Sequence, residues 1–298
     1  MTFDTTLIIS QLFNGLVWGI VLGLLAMGLT IIFGMMGVIN FAHGALYLVG
    51  AYSAYTSIMA CTQWMGAATG SFWIALVAAP IAVGLIGMVV EFFLLRRMYE
   101  REIIYQFLLT FGLTLVIQEL VTIIWGGMPR SFPTPDLLQG VVDLGFMLYP
   151  KYRLFVLILT PLIMLAVWLL LVKTRYGAII RAGTEDRDMV NLLGINVRRV
   201  FTVVFSIGAA MAGLAGVLAG PIIGSIQPDL GNSVLLASFV VVVVGGLGSF
   251  TGAIAGAILV GLVKAVTSML WAEASNAIVF ALMAVVLVFM PQGLLGKR

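Results

Sequence analysis

Charge in this sequence is gathered into one place. From Lys173 to Arg199 the chain reads KTRYGAIIRAGTEDRDMVNLLGINVRR, which holds nine of its 27 charged residues, and long apolar stretches lie on both sides. A polar segment of this length cannot lie in hydrocarbon, where an unpaired polar group costs several kcal/mol. It must sit at a membrane surface, and the apolar stretches around it must be the parts that enter the membrane.

Composition agrees with that division. Hydrophobic residues make up 62% of the chain and charged residues 9%, with a mean hydropathy of +1.18. A soluble domain would be about a quarter charged, so this chain has too little polar surface to cover a globule. A β-barrel is excluded because the apolar runs are long and continuous, not alternating segments of about ten residues. The fold class is therefore an all-α polytopic membrane protein, a single transmembrane domain over residues 1–298 with no separate soluble domain. The net charge of +3 comes from positive residues scattered at loop ends. They read as topology signals and not as a nucleic-acid surface. With one cysteine, Cys61, and one histidine, His43, no internal disulfide and no Cys/His metal cluster can be assembled.

A span needs about 20 apolar residues. Segments near 7–33, 41–60, 72–95, 103–125, 154–172, 200–223, 232–248, 250–270 and 274–290 meet or approach that length. The second and seventh are flanked by glycines and read as candidates for re-entrant or broken helices, giving eight or nine transmembrane or re-entrant helices. The first 95 residues contain no Lys or Arg. A cleaved signal needs a positive start, so the first run is expected to be a retained helix. Basic residues orient the rest. Arg96, Arg97 and Arg101, the 173–199 island, and Lys297 with Arg298 all fall on one side if the nine segments alternate. That side is expected to be cytoplasmic, with the amino terminus outside and the carboxyl terminus inside. The loop 126–153 then lies outside, and its VVDLGFMLY is a candidate strand or interfacial segment. Two glycine-rich stretches, 15–50 and 208–261, form a weak candidate for an inverted pair.

Small residues recur every four positions: Gly15, Gly19 and Gly23; Gly208, Ala212, Gly216 and Gly220; Gly248, Gly252 and Gly256. Such ridges let helix backbones approach closely. Internal helix packing is the plain expectation, and a subunit interface or a sliding path is the sharper one. Asn40 and His43 lie in FGMMGVINFAHGAL, a glycine-marked helix break. Such residues are either satisfied structural groups or polar points on a translocation route. Glu91 and Glu273 are near span ends, where they can reach water. Glu119 and Lys264 lie within spans and need a partner or a wet cavity, so they are further candidates for a pathway or gate, and for a pair. The sequence has no GxxxxGK[ST], and GGLGSFTG (245–252) lacks the phosphate-reaching lysine. HExxH and GxSxG are absent as well.

Within the island, Thr184 is a candidate N-cap, and Glu185 and Asp186 sit where a helix dipole favours negative charge. Met189, Val190, Leu192 and Leu193 form an apolar stripe, and Gly194 suits a left-handed stop. The spacing predicts a short surface helix over 184–193, either an ordinary interfacial helix or one that another protein grips.

Four stretches carry a family resemblance: GVINFAHGALYLVGAY (37–52), TRYGAIIRAGTEDRDMVNLLGINVRRV (174–200), VVVVGGLGSFTGAIAGAILVG (241–261) and FMPQGLLGKR (289–298). Together, in order and over nearly the whole chain, they resemble the LivH type of branched-chain amino acid permease, the transmembrane subunit of bacterial ABC importers. The resemblance implies an ABC importer permease fold in the inner membrane. It makes Thr184 to Leu193, ended by Gly194, a coupling helix that docks on an ATP-binding subunit. It further implies a second, LivM-like permease, two ATPase subunits that bind the ATP, and a periplasmic binding protein meeting loops 61–71, 126–153 and 224–231. This chain would then be a transport subunit with no catalytic residues, metal or cofactor of its own. Similar permeases serve urea, amides and aromatic or other carboxylic acids, so the substrate stays open at this level.

A stand-alone ion- or proton-driven carrier would need paired acidic groups at mid-membrane, and Glu119 alone is a candidate. A membrane enzyme would need a cluster of His, Asp, Glu or Ser at one depth, and the sequence shows none. The orientation is testable with single cysteines in a Cys61→Ala background. An impermeant maleimide should label Asp136→Cys on intact cells and Lys173→Cys only after the membrane is opened; the reverse pattern would invert the topology.

Overall fold

The computed structural model describes residues 5–65, 68–99 and 101–296. Each of the nine apolar segments is a helix. In chain order the helices are α1 (Thr5–Met36), α2 (His43–Met65), α3 (Ala68–Phe93), α4 (Ile103–Trp125), α5 (Lys151–Lys173), α6 (Arg175–Glu185), α7 (Arg187–Leu192), α8 (Val197–Ile223), α9 (Leu230–Gly245), α10 (Phe250–Leu270) and α11 (Ala277–Phe289). Six of these segments, those of α1, α3, α4, α5, α8 and α10, are long and apolar enough to cross a membrane, whereas α9 and α11 are shorter apolar helices. The irregularity expected in the second and seventh segments has a structural counterpart. Helix α2 begins inside the bundle, and α9 has 16 residues.

The start of α2 is placed by His43, whose Nε2 lies 3.0 Å from the Leu25 carbonyl. Helix α1 runs on from Leu25 to Met36, roughly 16 Å further along the axis. Residues 37–42 must therefore fold back beside α1, and α2 starts at the depth of Leu25. Non-helical backbone at such depth is tolerated only where its polar groups are paired within the protein. Here Gly37 N bonds to Phe33 O, and Asn40 O accepts from His43 N. Asn40 Oδ1 accepts from Ala42 N at 3.1 Å, and Ile39 O accepts from Thr110 Oγ1 of α4 at 3.3 Å.

A second break separates α8 from α9 at 224–229, and the two breaks share a pattern. Gly37, Ile39, Asn40 and Gly44 in the first match Gly224, Ile226, Gln227 and Gly231 at the same spacing in the second. Gly37 and Gly224 both take positive φ, +68° and +79°, a conformation that favours glycine. The second break is paired by a short antiparallel bridge between β1 (Arg130–Ser131) and β4 (Ser225–Ile226), with Phe132 N donating to Gly224 O at 3.0 Å. The loop 126–153 thus reaches in to satisfy it. The rest of that loop forms a hairpin of β2 (Val141–Asp143) and β3 (Leu148–Pro150), within the VVDLGFMLY segment.

Packing follows the same duplication. Helix α1 lies on α10 as α8 lies on α3, α2 lies on α8 as α9 lies on α1, and the pairs α1–α8 and α2–α9 meet each other. Along α1, Gly15 meets Ala265 and Gly261, Gly19 meets Gly261 and Ala257, and Gly23 meets Ala257, so the two helices are antiparallel. Helices α3 and α8 are antiparallel in the same way, since Val83 meets Gly213 and Glu91 meets Thr202. The set α8–α9–α10 therefore runs opposite to α1–α2–α3, which gives the two glycine-rich stretches an inverted relation. The crossing points on this axis are glycines. A Cβ on Gly44 would lie 2.3 Å from Gly231 O, and one on Gly231 would lie 2.6 Å from Gly44 O. Gly28 and Gly208 face each other in the same reciprocal way.

Gly44→Leu should therefore push α2 from α9 and cost about 3 kcal/mol, the upper end of usual overpacking penalties. Gly112→Ala, inside α4 where the side chain would meet nothing within 4 Å, should raise stability slightly, by up to about 1 kcal/mol, because alanine is the better helix former. Thermal unfolding in detergent checks both.

Candidate functional site

Three features stand out from the bundle: the charged loop, a buried ionic cluster beneath it, and the centre where the two breaks meet.

In the charged loop the structure corrects the sequence expectation. One helix over 184–193 with Thr184 as its cap is replaced by two. Helix α6 starts ten residues earlier, capped by Thr174, whose Oγ1 accepts from Gly177 N at 3.1 Å. Thr184 and Glu185 are its last two residues, and their side chains lie outside the described residues. The break falls at Asp186, which takes extended geometry. Its carboxylate accepts from Met189 N at 2.9 Å and so caps α7. A carboxylate is the better cap here because it adds charge at the positive end of the helix. The expected stop is present, with Gly194 at φ +80°. Val190 is buried, while Met189, Leu192 and Leu193 are 55%, 82% and 71% exposed. Asn191 Oδ1 accepts from Val197 N, the first residue of α8, and Asn196 Oδ1 caps that helix through Arg199 N. Helix α7 is thus latched to the start of α8, with an apolar face turned outward. Exposed apolar side chains grouped on a polar loop mark an interaction surface.

The ionic cluster was not legible in the sequence. Glu91 was expected to reach water from a span end, yet it is 0% exposed. Its carboxylate is fully engaged. Arg96 Nη2 approaches Oε2 at 3.2 Å, Thr202 Oγ1 donates to Oε2 at 2.6 Å, and Tyr99 OH donates to Oε1 at 2.6 Å. Arg96 also donates to Thr202 Oγ1 and stacks over Phe92, 4.5 Å from the ring centroid. The cluster clasps the end of α3 to the second turn of α8, just beyond the latch from α7. Glu273 does reach the surface, where it accepts from Trp271 Nε1 at 2.8 Å.

At the centre, Asn40 and His43 are both buried and hold the first break in shape. The Leu25 carbonyl only accepts, so His43 donates to it from Nε2, and its Nδ1 has no partner among the described residues. Asn40 Nδ2 is likewise unpartnered. Beside them runs a polar stripe that the sequence reading missed: Gln106, Thr110, Thr114, Gln118 and Thr122 on α4, four residues apart and hence on one face. Near its far end Asn232 of α9 donates to Gln118 Oε1 at 3.0 Å. Four-residue spacing of Gln and Thr in an apolar helix was the signal available for it.

Glu119 and Lys264 are not brought together. Glu119 is exposed on α4, which packs on α2, whereas Lys264 is half-buried on α10 against α1 and α9. Lys264 Nζ lies 6.0 Å from the Trp18 ring centroid, and the ion pair found among the described residues is Arg96 with Glu91. The glycine ridges face other helices of the same chain. Gly15, Gly19 and Gly23 face α10, Gly208 faces α1, Gly216 faces the Tyr47 carbonyl of α2, Gly252 and Gly256 face the end of α9, and Gly248 faces Gly34.

Comparison with known proteins gives consistent matches. A family model described as "Branched-chain amino acid transport system / permease component" matches residues 11–287. The high-affinity branched-chain amino acid transport system permease protein LivH of Escherichia coli K12 is 34% identical over 97% of this chain and 96% of its own length. BraD, the corresponding permease protein of Pseudomonas aeruginosa, is 30% identical over 97% and 96%. LivM of E. coli K12 is 27% identical over 91% of this chain and 67% of its own. No solved structure matches the chain.

The clasp generates a stability prediction. Arg96→Ala would leave the Glu91 charge buried without its cation and should cost about 3–5 kcal/mol. Thr202→Val, which removes the hydroxyl that donates to Glu91 and accepts from Arg96, should cost at least about 1.5–3 kcal/mol. Unfolding of the purified proteins in detergent would rank them.

Proposed function

This chain belongs to the permease family of branched-chain amino acid transport systems, and from that premise we propose that it is one of two permease subunits of an inner-membrane ABC importer for branched-chain or closely related amino acids. A second, LivM-like permease completes the path, two ATPase subunits dock on the charged loop, and a periplasmic binding protein delivers substrate to the 126–153 face. The chain contributes no nucleotide site. In this reading the charged loop and the carboxyl terminus are cytoplasmic and the amino terminus is outside.

The observation that carries the reading is the geometry of α7. Its exposed Met189, Leu192 and Leu193 offer an apolar knob to a groove on a partner, and Val190 roots the helix in the bundle. Motion of α7 passes through the Asn191–Val197 bond into α8. From there the Glu91–Arg96–Thr202 clasp passes it to α3. A docking helix held by flexible chain would absorb the motion of the ATPases; one latched to α8 transmits it. Such transmission switches the inner and outer faces of the path in turn, with the energy supplied by differential contacts of the ATPase dimer in its open and closed states.

Reconstitution with the partner subunits tests this. Met189→Asp with Leu193→Asp should lower binding-protein-stimulated ATPase activity and ATP-dependent leucine uptake at least tenfold, while the two permeases still copurify. Uptake at the wild-type level would remove α7 from the coupling path. Uptake by this chain alone, without ATP, would overturn the importer reading.

A further inference from the structure

Beside the first break, between α1 and α9, the bundle is not filled. Helix α1, residues 39–41 and helix α9 enclose a cavity of about 180 Å³, walled by Leu29, Phe33, Ile39, Phe41, Leu236 and Phe239 with Asn40 beside them. Its accessible wall is apolar. An apolar cavity of about 150 Å³ accommodates benzene, so this one has room for an aliphatic or small aromatic group and no means of hydrogen-bonding a polar one. It lies beside the last turns of α1, at Leu29 and Phe33, one turn beyond the Leu25 carbonyl that receives His43.

The chemistry changes one turn along α9. Asn232 precedes Leu235 and Leu236 by three and four residues, which places it on the same face as this part of the cavity wall. Asn232 Nδ2 donates to Gln118 Oε1 at 3.0 Å. That bond uses one donor of the exposed Asn232 amide and one acceptor of the half-buried Gln118 amide. Asn232 Oδ1 and Gln118 Nε2 are left at the surface without a protein hydrogen bond among the described residues. One acceptor and one donor, side by side above an apolar hollow, match the two ends of an α-amino acid. The ammonium donates to Asn232 Oδ1, the carboxylate accepts from Gln118 Nε2, and the side chain enters the cavity.

We propose that the cavity between α1 and α9 is the side-chain subsite of the translocation path, with Gln118 and Asn232 receiving the zwitterionic end of a neutral amino acid that carries an aliphatic side chain. The proposal rests on the importer reading and sharpens it. Both contacts at the charged ends are neutral amides. They hold a zwitterion more weakly than a buried Arg or Asp would, and a site on a path must release what it binds. The cavity lies between the first break and the helix that follows the second, and discontinuous segments at the junction of inverted repeats are where many transporters bind their cargo. The cavity wall selects by volume, since one methylene more or less in an apolar pocket changes preference about 10–200-fold.

The test uses the reconstituted importer with its binding protein saturated by leucine or, separately, by phenylalanine. Leu236→Trp fills the cavity and should lower leucine uptake at least tenfold while the second permease still copurifies. Leu236→Ala enlarges it and should raise the ratio of phenylalanine to leucine uptake several-fold. Asn232→Leu should lower uptake of both. If Leu236→Ala keeps the wild-type ratio, the cavity is not on the path and the proposal fails, whatever the tryptophan variant does. If Leu236→Trp loses the second permease on purification while Leu236→Ala transports with the wild-type ratio, the hollow is a seat for that subunit and the proposal also fails. A wild-type complex that moves neither amino acid would instead sink the importer reading on which the subsite depends.

Discussion

Two stretches of backbone leave helical geometry inside an apolar bundle, and the rest of the structure is arranged to make that tolerable. In hydrocarbon an unpaired N–H or C=O costs several kcal/mol. Residues 37–42 answer this with Asn40, which pairs its own neighbours, and with Thr110, borrowed from α4. Residues 224–229 answer it with a strand from a distant loop. The two solutions differ because the two breaks enter from opposite ends of the bundle. One is covered by a neighbouring helix, the other by the loop 126–153. Once both are in place, α2 and α9 begin deep in the protein, and their first turns can touch only through glycine, at Gly44 and Gly231.

This construction separates rigid and mobile work. The glycine contacts among α1, α8 and α10 bring backbones into close approach, which favours dense packing. The centre, by contrast, holds unpartnered polar atoms on Asn40 and His43 and an unfilled hollow beside them. Unsatisfied groups and voids are the features a well-packed core avoids. Their concentration at one depth, where the two halves meet, fits a region that must rearrange when cargo passes.

The ionic clasp joins the end of α3 to the first turns of α8, next to the surface loop. Glu91 is buried, and its carboxylate receives three protein donors, from Arg96, Thr202 and Tyr99. A buried pair of this kind is weak evidence for net stability, because an apolar replacement often does as well. Its better-attested use is to fix one arrangement over others. Here it fixes α3 against α8 at the point where the charged loop passes into α8.

Much of this protein is written locally. The nine apolar segments, the surface position of 173–199 and the stop at Gly194 follow from hydropathy and from what single residues permit, and the family was legible because GVINFAHGALYLVGAY and the loop sequence occur in order. Other signals were present but unread, as with Gly37-x-Ile39-Asn40 and Gly224-x-Ile226-Gln227, or the Gln and Thr stripe of α4. The choice of Asp186 over Thr184 as cap was beyond local reasoning, since both are good capping residues and only the bend between α6 and α7 selects one. The burial of Glu91, the partners of the glycine ridges, the separation of Glu119 from Lys264 and the central hollow were decided by tertiary structure alone. Hydropathy fixes which residues enter the membrane because transfer free energy is a property of each side chain. Which buried groups meet depends on how helices far apart in sequence cross, and no single segment carries that information.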